Sequence, residues 1–396
     1  MKTIIIDIAP PLLSEEDLEH RMNELESLVS TYGGVTIVKR VQKRFTPDYR
    51  TFIGSGKLDE IIEIGTELGA ELLIIGNIMK PAQVWNVNEH IRLAKSKIQA
   101  WDRVDLILKI FAIHAVSPES KLQIELAAIK HMWPRIFGMG MELSRQWWGS
   151  KNAKWQWETN TEIMKRHLRE KELALLEKLK TYQKTRSLHR ENRKRKGFFT
   201  LGIVWYTNAG KSSLFNVLTK KWVLAEDKLF ATLGTSVGKM FLGSFWKELS
   251  TRNEETEDFL KQKIPPTPLS KGGFREILIN DTIGFIRDLP PNLIAAFRST
   301  LEDSIESDIL LHVVDAGDPW IEEKIKIVDE TLDKIGAKQK RIYIFNKSDT
   351  LSELQKNNLL LQFQNLEPIF LSAQSQEGVS LFQKYIRSLL EKNYFL

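Results

Sequence analysis

Apolar and polar positions follow three successive patterns along the chain, and the first pattern covers about 115 residues. Extended, β-branched runs predict strands at 3–8, 35–41 and 72–76. Stretches with helical periodicity predict helices near 14–31, 57–68 and 82–95. Strands that alternate with helices are typical of a parallel α/β layer, so residues 1–116 are predicted to form an N-terminal α/β domain.

The second pattern is helical and begins at Ser117. Ser117, Pro118 and Glu119 supply an N-cap hydroxyl, a proline at the first helical position and an acid in the first turn. An apolar stripe follows at Leu122, Leu126, Ile129 and Trp133. A second helix is predicted from about 159 to 196, with its own stripe at Met164, Leu168, Leu175, Leu179 and Tyr182. Matching stripes predict a long antiparallel helical hairpin over 117–196.

The third pattern begins at Gly197 and again alternates. Apolar runs predict strands at 198–204, 275–280, 308–314, 341–345 and 368–371, with helices between them. Residues 197–396 are therefore predicted to form a second α/β domain. An acidic cluster followed by proline-rich and glycine-rich sequence indicates a flexible insert at about 243–273.

Composition excludes several classes of protein. A hydrophobic fraction of 42% and a charged fraction of 27% exclude wholesale disorder and a collagen-like chain. No apolar run approaches 18 residues, so we expect no integral membrane association. The first residues fit a strand rather than a signal peptide. The absence of cysteine excludes disulfides and fits a reducing cytoplasm, where we expect the protein to reside.

The positive charge is concentrated in one segment. Residues 165–196 contain thirteen Lys and Arg against four Glu, a net charge of +9, whereas the whole chain carries +6. Such a helix indicates contact with a polyanion, and the alternative is an ordinary solvated face. A nearby tryptophan cluster either stacks on bases or occupies positions that have lost glycine; it comprises Trp147, Trp148, Trp155 and Trp157.

Residues 205–212 carry most of a phosphate-binding loop. The pattern G-x-x-x-x-G-K-[ST] is present except that Trp205 stands at its first glycine. Backbone N–H groups of 208–213 would surround the β-phosphate at a helix N-terminus. Lys211 would reach the β- and γ-phosphates, and the Ser212 hydroxyl would ligate Mg²⁺.

Three further motifs follow predicted strands in the order expected of a guanine-nucleotide domain. Asp281 and Gly284, in D-T-I-G, would supply a carboxylate for Mg²⁺ and an N–H for the γ-phosphate. Asp349, in N-K-S-D, would accept hydrogen bonds from guanine N1–H and N2–H₂, which adenine lacks. Ser372 and Ala373 begin a loop that can close over the base. Motifs at the carboxyl ends of strands predict a doubly wound GTPase domain.

These motifs, with their flanking sequence, resemble the HflX family of GTPases, which is related to the Obg proteins. The similar segments are FIGSGKLDEI (52–61), KLQIELAAIKHMWPRIFGMGMELSRQ (121–146), YTNAGKSSLFN (206–216), EDKLFATL (226–233) and DTIGFIRDLPPNLIAAFRSTLE (281–302). The resemblance covers nearly the whole chain. It implies a cytoplasmic GTPase that binds the large ribosomal subunit and splits or rescues ribosomes during stress. It also implies that Thr232 closes on Mg²⁺. We expect a monomer, with the basic helix in contact with rRNA.

The motifs and the resemblance together assign the site. The catalytic residues are Lys211, Thr232 and Gly284, and the Mg²⁺ ligands are Ser212, Thr232 and Asp281. The residues expected to bind GTP or GDP are Tyr206, Thr207, Asn208, Ala209, Gly210, Lys211, Ser212, Ser213, Phe230, Ala231, Thr232, Leu233, Asp281, Thr282, Ile283, Gly284, Asn346, Lys347, Ser348, Asp349, Ser372, Ala373 and Gln374. Asn208 either coordinates K⁺, as in K⁺-stimulated GTPases, or stabilises the loop through its amide.

Two residues of the predicted site bear on activity, and the first of them departs from the family pattern. Trp205 replaces a P-loop glycine, and this either strains the backbone or blocks the nucleotide. Phe285 stands where Ras-like enzymes have a water-orienting Gln, so either intrinsic hydrolysis is slow and ribosome-stimulated, or Phe285 simply packs. Two functions remain open: an active GTPase on the ribosome, or a degenerate ribosome-binding relative that no longer hydrolyses GTP.

Overall fold

The protein is represented by a computed structural model that describes residues 1–131, 151–196, 198–207, 209–219, 237–241, 276–281, 284–287, 293 and 306–394. The chain divides into two compact units. The first contains residues Met1–Thr181, and the second contains most of residues 182–396. The predicted division into three parts, at 116 and 196, stays a prediction.

The first unit is built on a four-stranded parallel sheet with the order β2-β1-β3-β4. Its strands are β1 (Lys2–Ala9), β2 (Val35–Lys43), β3 (Leu72–Ile75) and β4 (Gln99–Asp102). Its helices are α1 (Glu15–Tyr32), α2 (Ser55–Leu68), α3 (Pro81–Leu93), α4 (Arg103–His114) and α5 (118–131). The three predicted strands and three predicted helices are all present.

Burial and capping explain these elements. Ile4, Ile5 and Ile6 of the central β1 are fully buried, as expected of a parallel strand that is covered on both faces. The Ser14 hydroxyl accepts a hydrogen bond from the Asp17 N–H and begins α1. Gly33, with a φ of 94°, ends that helix in the left-handed conformation. The prediction missed β4 and α4 because a four-residue strand runs directly into a helix there.

The helical part consists of α5 and the long helix α6 (Lys151–Arg195). The predicted N-cap is confirmed, because the Ser117 hydroxyl accepts a hydrogen bond from the Ser120 N–H over 3.0 Å. A hydrophobic cluster joins the two helices through Leu126, Ile129, Leu168 and Leu175. Lys171 Nζ on α6 also pairs with Glu125 Oε1 on α5 at 2.7 Å.

The second unit contains a six-stranded sheet with the order β10-β9-β8-β5-β7-β6. Its strands are β5 (Phe199–Trp205), β6 (Val237–Phe241), β7 (Glu276–Asp281), β8 (Ile309–Asp315), β9 (Lys340–Asn346) and β10 (Ile369–Phe370). Its described helices are α7 (Lys211–Thr219), α8 (Ile321–Ile335), α9 (Glu353–Gln362) and α10 (Val379–Tyr394). All five predicted strands are present, and β6 is an additional strand that pairs antiparallel with β7.

The parallel register brings the carboxyl ends of four strands together. Ile203 of β5 lies opposite Asp281 of β7, and Asp315 of β8 lies opposite Asn346 of β9. Ligands of open α/β sheets bind at this edge. The predicted insert at 243–273, Trp147 and Trp148 lie outside the described residues. Among the helices that the structure describes, we find none with the length and apolar character needed to cross a bilayer.

Candidate functional site

The P-loop connects β5 to α7, and most of its described residues are buried. Tyr206, Thr207 and Lys211 are each less than a tenth exposed. Gly210 has a φ of 80°, and a Cβ there would lie 2.4 Å from Asn346 Nδ2. Position 210 therefore requires glycine both for its backbone conformation and for the close approach of Asn346.

Trp205, at the first position of the P-loop motif, has ordinary strand geometry. It is the last residue of β5, pairs with Val313 of β8, and accepts a hydrogen bond from the Phe285 N–H over 2.8 Å. Its φ is not positive. The expectation of backbone strain at Trp205 is therefore wrong, and the alternative, a steric effect of the side chain, remains.

The Trp205 indole lies against two residues of the predicted site. Lys211 Nζ is 4.4 Å from the centroid of the ring, which is a cation–π contact. A Cβ on Gly284 would lie 2.6 Å from the indole Nε1 and 3.0 Å from Cε2. The indole consequently packs directly on the Gly284 backbone, and a larger residue at 284 would clash with the ring unless the ring moved.

The segment after β7 is attached to the P-loop by backbone hydrogen bonds. The Thr207 N–H donates to the Phe285 carbonyl over 2.9 Å, and Tyr206 forms a parallel bridge with Phe285. The Phe285 side chain is fully buried. This burial favours the packing interpretation of Phe285 and is incompatible with a side chain that orients water.

Asn346, the last residue of β9, connects two loops. Its Nδ2 donates to the Ala209 carbonyl over 2.9 Å, and its Oδ1 accepts from the Ala373 N–H over 3.0 Å. The neighbouring Lys347 has a φ of 61°, and its Nζ pairs with Asp315 Oδ2 at 2.7 Å. Three of the four predicted motifs therefore meet around the side chain of one asparagine.

The remaining residues of this edge lie in two short turns. Asp349 is exposed in a 3₁₀ turn, Ser348–Thr350, and its carboxylate is open to solvent. The Ser372 hydroxyl accepts hydrogen bonds from the N–H groups of Gln374 and Ser375, over 3.2 and 3.0 Å. Gln374 is exposed, so this turn presents a polar rim beside Asn346.

Sequence models of known families match most of the chain. A family described as "50S ribosome-binding GTPase" matches residues 200–347. "GTP-binding GTPase N-terminal" matches 19–112, and "GTP-binding GTPase Middle Region" matches 114–193. GTPase HflX of Alkalihalophilus pseudofirmus is 35% identical, over 95% of this chain and 80% of its own length. GTPase HflX of Escherichia coli is 32% identical, over 93% of this chain and 79% of its own length.

The chain belongs to the HflX family of GTPases. A solved relative has the same overall fold: the crystal structure of SsGBP in complex with GDP is 25% identical, with a TM-score of 0.51 and 99% of both chains covered. The family predicted from the motifs and the predicted fold class are both confirmed. In this chain Trp205 stands at a position where the HflX family pattern has glycine.

Several predicted site residues lie outside the described part of the chain. They are Asn208, Phe230, Ala231, Thr232, Leu233, Thr282 and Ile283. Asp281 is described as the last residue of β7, without its side chain. The structure brings together the P-loop, Gly284, the motif 346–349 and the turn 372–374.

Two contributors to this site were not predicted from the sequence. Asp315, at the end of β8, pairs with Lys347 because the strand register places it opposite Asn346, and no sequence signal identifies this contact. The second is Arg287, whose N–H donates a hydrogen bond to the Tyr206 hydroxyl over 2.9 Å. Arg287 also pairs with Glu323 at 2.7 Å, so a chain of polar contacts connects the P-loop to α8.

A buried polar cluster lies next to a small cavity behind the P-loop, which Tyr206 and His312 line. Asp329 Oδ2 accepts from the Tyr343 hydroxyl over 2.9 Å, and its Oδ1 is 3.4 Å from His312 Nδ1. Burial would raise the pKa of Asp329, but His312, Tyr343 and Arg341 hold it below its ordinary value. Burial and the charge of Asp329 raise the pKa of Tyr343 to about 12.

Proposed function

We propose that this HflX-family chain binds GTP and GDP, hydrolyses GTP to GDP and phosphate, and acts as a monomer on the large ribosomal subunit in the cytoplasm. Its task would be to split or rescue ribosomes during stress. The observation that carries the nucleotide part is the pair of hydrogen bonds from Asn346, which tie the P-loop to the base-side turn at the carboxyl edge of the sheet.

Each described group has a role in this proposal. The N-terminus of α7 offers backbone N–H groups to the α- and β-phosphates, and Lys211 offers an ammonium that neutralises charge in the transition state. Asp349 is exposed where it can accept two hydrogen bonds from guanine. Gly284 stands beside the P-loop, with its N–H proposed to meet the γ-phosphate.

The oxygen donors of the site suit Mg²⁺. Ser212 is in the first turn of α7, and Asp281 ends β7 opposite Ile203 of β5, so both belong to the phosphate edge. Hydroxyl and carboxylate oxygens are the ligands that Mg²⁺ prefers. When bound, Mg²⁺ would neutralise charge on the phosphates, with Thr232 as the third proposed ligand. Asn208 remains the proposed contact for K⁺, with loop stabilisation as its alternative.

Hydrolysis is proposed to be slow without a partner. The Phe285 side chain is buried, so it cannot hold the attacking water as a glutamine does. We expect the large subunit to supply or order that missing group. The basic helix α6, whose net positive charge exceeds that of the whole chain, would then contact rRNA phosphates.

The alternative is a ribosome-binding relative that no longer hydrolyses GTP. The observation that favours it is the contact of the Trp205 indole with both Lys211 and Gly284. These are two of the three residues to which catalysis is assigned. The alternative retains ribosome binding and loses only turnover.

A single-turnover assay separates the two functions. Purified protein is titrated with GDP, GTP and ATP, and radiolabelled GTP is then followed with large subunits, with small subunits, or alone. The proposal expects guanine-selective binding and hydrolysis that only large subunits accelerate. If the protein bound guanine nucleotides but hydrolysed GTP under none of these conditions, the non-hydrolysing alternative would be favoured. If it showed no preference for guanine over adenine nucleotides, the proposed binding of GTP and GDP would be contradicted.

A further inference from the structure

The Trp205 side chain has its direction set by the sheet. β5 pairs with β8 up to Trp205 and Val313, and the Trp205 carbonyl accepts from the Phe285 N–H. Hydrogen bonds to β8 and to Phe285 thus fix the backbone of Trp205 on both sides. The indole is buried, with only 5% of the residue exposed. The indole therefore belongs to the packed core of the domain and is not a mobile surface side chain.

The two groups that the indole contacts are those to which a γ-phosphate would bind. A P-loop lysine reaches the β- and γ-phosphates, and the glycine of D-x-x-G is assigned to the γ-phosphate through its N–H. A phosphate oxygen must come within about 3 Å of each donor. The ring already lies 4.4 Å, centroid to Nζ, from Lys211 and in direct contact with Gly284.

Ring and phosphate therefore compete for the same space. The face of the indole also provides a favourable partner for the Lys211 ammonium, because its π electrons attract a cation. The α- and β-phosphates depend on a different part of the loop, the N–H groups at the start of α7. The obstruction is thus expected to act most strongly on the third phosphate, which depends on both Lys211 and Gly284, whereas the β-phosphate keeps the N–H groups at the start of α7.

We propose that Trp205 is a specificity-determining residue that occupies the γ-phosphate position, so that the resting site accepts GDP and admits GTP only when the indole leaves. This inference rests on the proposed function, because it assumes guanine nucleotides at this site. The resting protein would then be the GDP-bound form, because GDP binds while the Trp205 indole stays on Lys211 and Gly284. A partner that moves the indole would then control GTP entry.

The test is the ratio of two dissociation constants, for β,γ-imido-GTP and for GDP, in wild type and in Trp205→Gly. We expect the variant to lower this ratio at least tenfold, which corresponds to about 1.4 kcal/mol, mainly by tightening the triphosphate analogue. Phe382→Leu is the matched control, because Phe382 belongs to the same hydrophobic cluster as Trp205. This control should leave the ratio unchanged.

A second measurement uses wild-type protein and does not depend on the folding of a variant. Beryllium fluoride, which occupies the γ-phosphate position beside bound GDP, is added while the melting temperature is followed. We expect no further stabilisation in wild type. The inference would be overturned if Trp205→Gly changed the dissociation constants of both nucleotides by the same factor, or if beryllium fluoride raised the melting temperature of GDP-bound wild type. Either result would leave the proposed function intact. Absence of GDP binding in every protein would overturn the proposed function and this inference with it.

Discussion

The side-chain amide of Asn346 donates a hydrogen bond to the Ala209 carbonyl over 2.9 Å and so connects the end of β9 to the P-loop. The same side chain accepts from the Ala373 N–H. Because Asn346 is buried, neither loop can exchange this partner for water without opening the edge of the sheet. The geometry of the phosphate side and of the base side is therefore coupled through one residue.

Asn346→Ala should weaken GDP binding and lower the free energy of unfolding by about 1–3 kcal/mol, because it leaves two buried backbone groups without their partner. Calorimetry with GDP and chemical denaturation measure the two effects. Gln83→Ala is the control, since Gln83 makes comparable buried hydrogen bonds to Lys80 and Asp48 in the first unit. Equal GDP affinity in the two variants would contradict the coupling.

Gly210→Ala should abolish nucleotide binding. A Cβ there would lie 2.4 Å from Asn346 Nδ2, in addition to the cost of a φ of 80°. Gly336→Ala separates the two effects, because Gly336 has a φ of 85° but no atom within 4 Å of an added Cβ. We expect the control to lose only about 1–2 kcal/mol of stability and to keep GDP affinity. Retained GDP binding in Gly210→Ala would show that the approach of Asn346 is not required.

The sequence was sufficient for the fold class because its strands are long, apolar and followed by recognisable motifs. It missed β6 because this five-residue strand contains glycine and lysine between apolar residues. It also missed the pairing of Lys347 with Asp315, which depends on the register of β8 against β9. Propensity and motif spacing carry no information on such register-dependent contacts.

Trp205 illustrates the same limit at the site. The motif showed that glycine was absent, and it left backbone strain and steric obstruction as alternatives. The strand geometry of Trp205 excludes strain, and the positions of Lys211 and Gly284 identify what the ring meets. Only three-dimensional packing could distinguish these explanations, because Lys211 is six residues from Trp205 and Gly284 is far away in sequence.

Asp349→Asn should shift the base preference from guanine to xanthine, because an amide can donate to the xanthine C2 carbonyl but cannot accept both guanine N–H groups. Competition between GDP and XDP for labelled GDP measures the shift. Glu353→Gln is a suitable control, since Glu353 is exposed and pairs with Lys356 on α9. An unchanged preference in Asp349→Asn would remove the assignment of 346–349 as the base-binding motif.

Tyr343→Phe should make the protein less sensitive to alkaline pH. The pKa of Tyr343 is raised to about 12, so the neutral phenol is favoured in the folded state. The neutral Tyr343 phenol contributes fully to the free energy of unfolding below the unfolded-state pKa of about 10. This contribution is lost as the pH rises towards 12. Between pH 9 and 11, wild type should lose about 1.4 kcal/mol more than the variant in urea unfolding. Parallel curves for the two proteins would contradict the raised pKa.

Binding to the large subunit should depend on salt through one face of α6. Arg169, Lys180 and Lys184 are exposed and lie at spacings of eleven and four, which places them on the same face of a helix. Arg190 is unsuitable as a probe, because its Nε pairs with Glu306 Oε2 at 2.6 Å and the side chain is only 12% exposed. Reversing the charge of Arg190 would test the folding of the second unit instead of the proposed contact between α6 and rRNA.

About six phosphate contacts would give a slope of log K against log salt near −4 to −5, a loss of several hundredfold between about 50 and 200 mM. Changing Arg169, Lys180 and Lys184 to Glu should flatten that slope by about 2, because each lost contact removes about 0.7. The loss over the same range should then be only about thirtyfold, while GDP affinity stays unchanged. Sedimentation with purified large subunits over a salt series measures both slopes. If the triple variant kept the wild-type slope, the phosphate contacts would have to come from another surface, because counterion release depends on the number of charges at the interface.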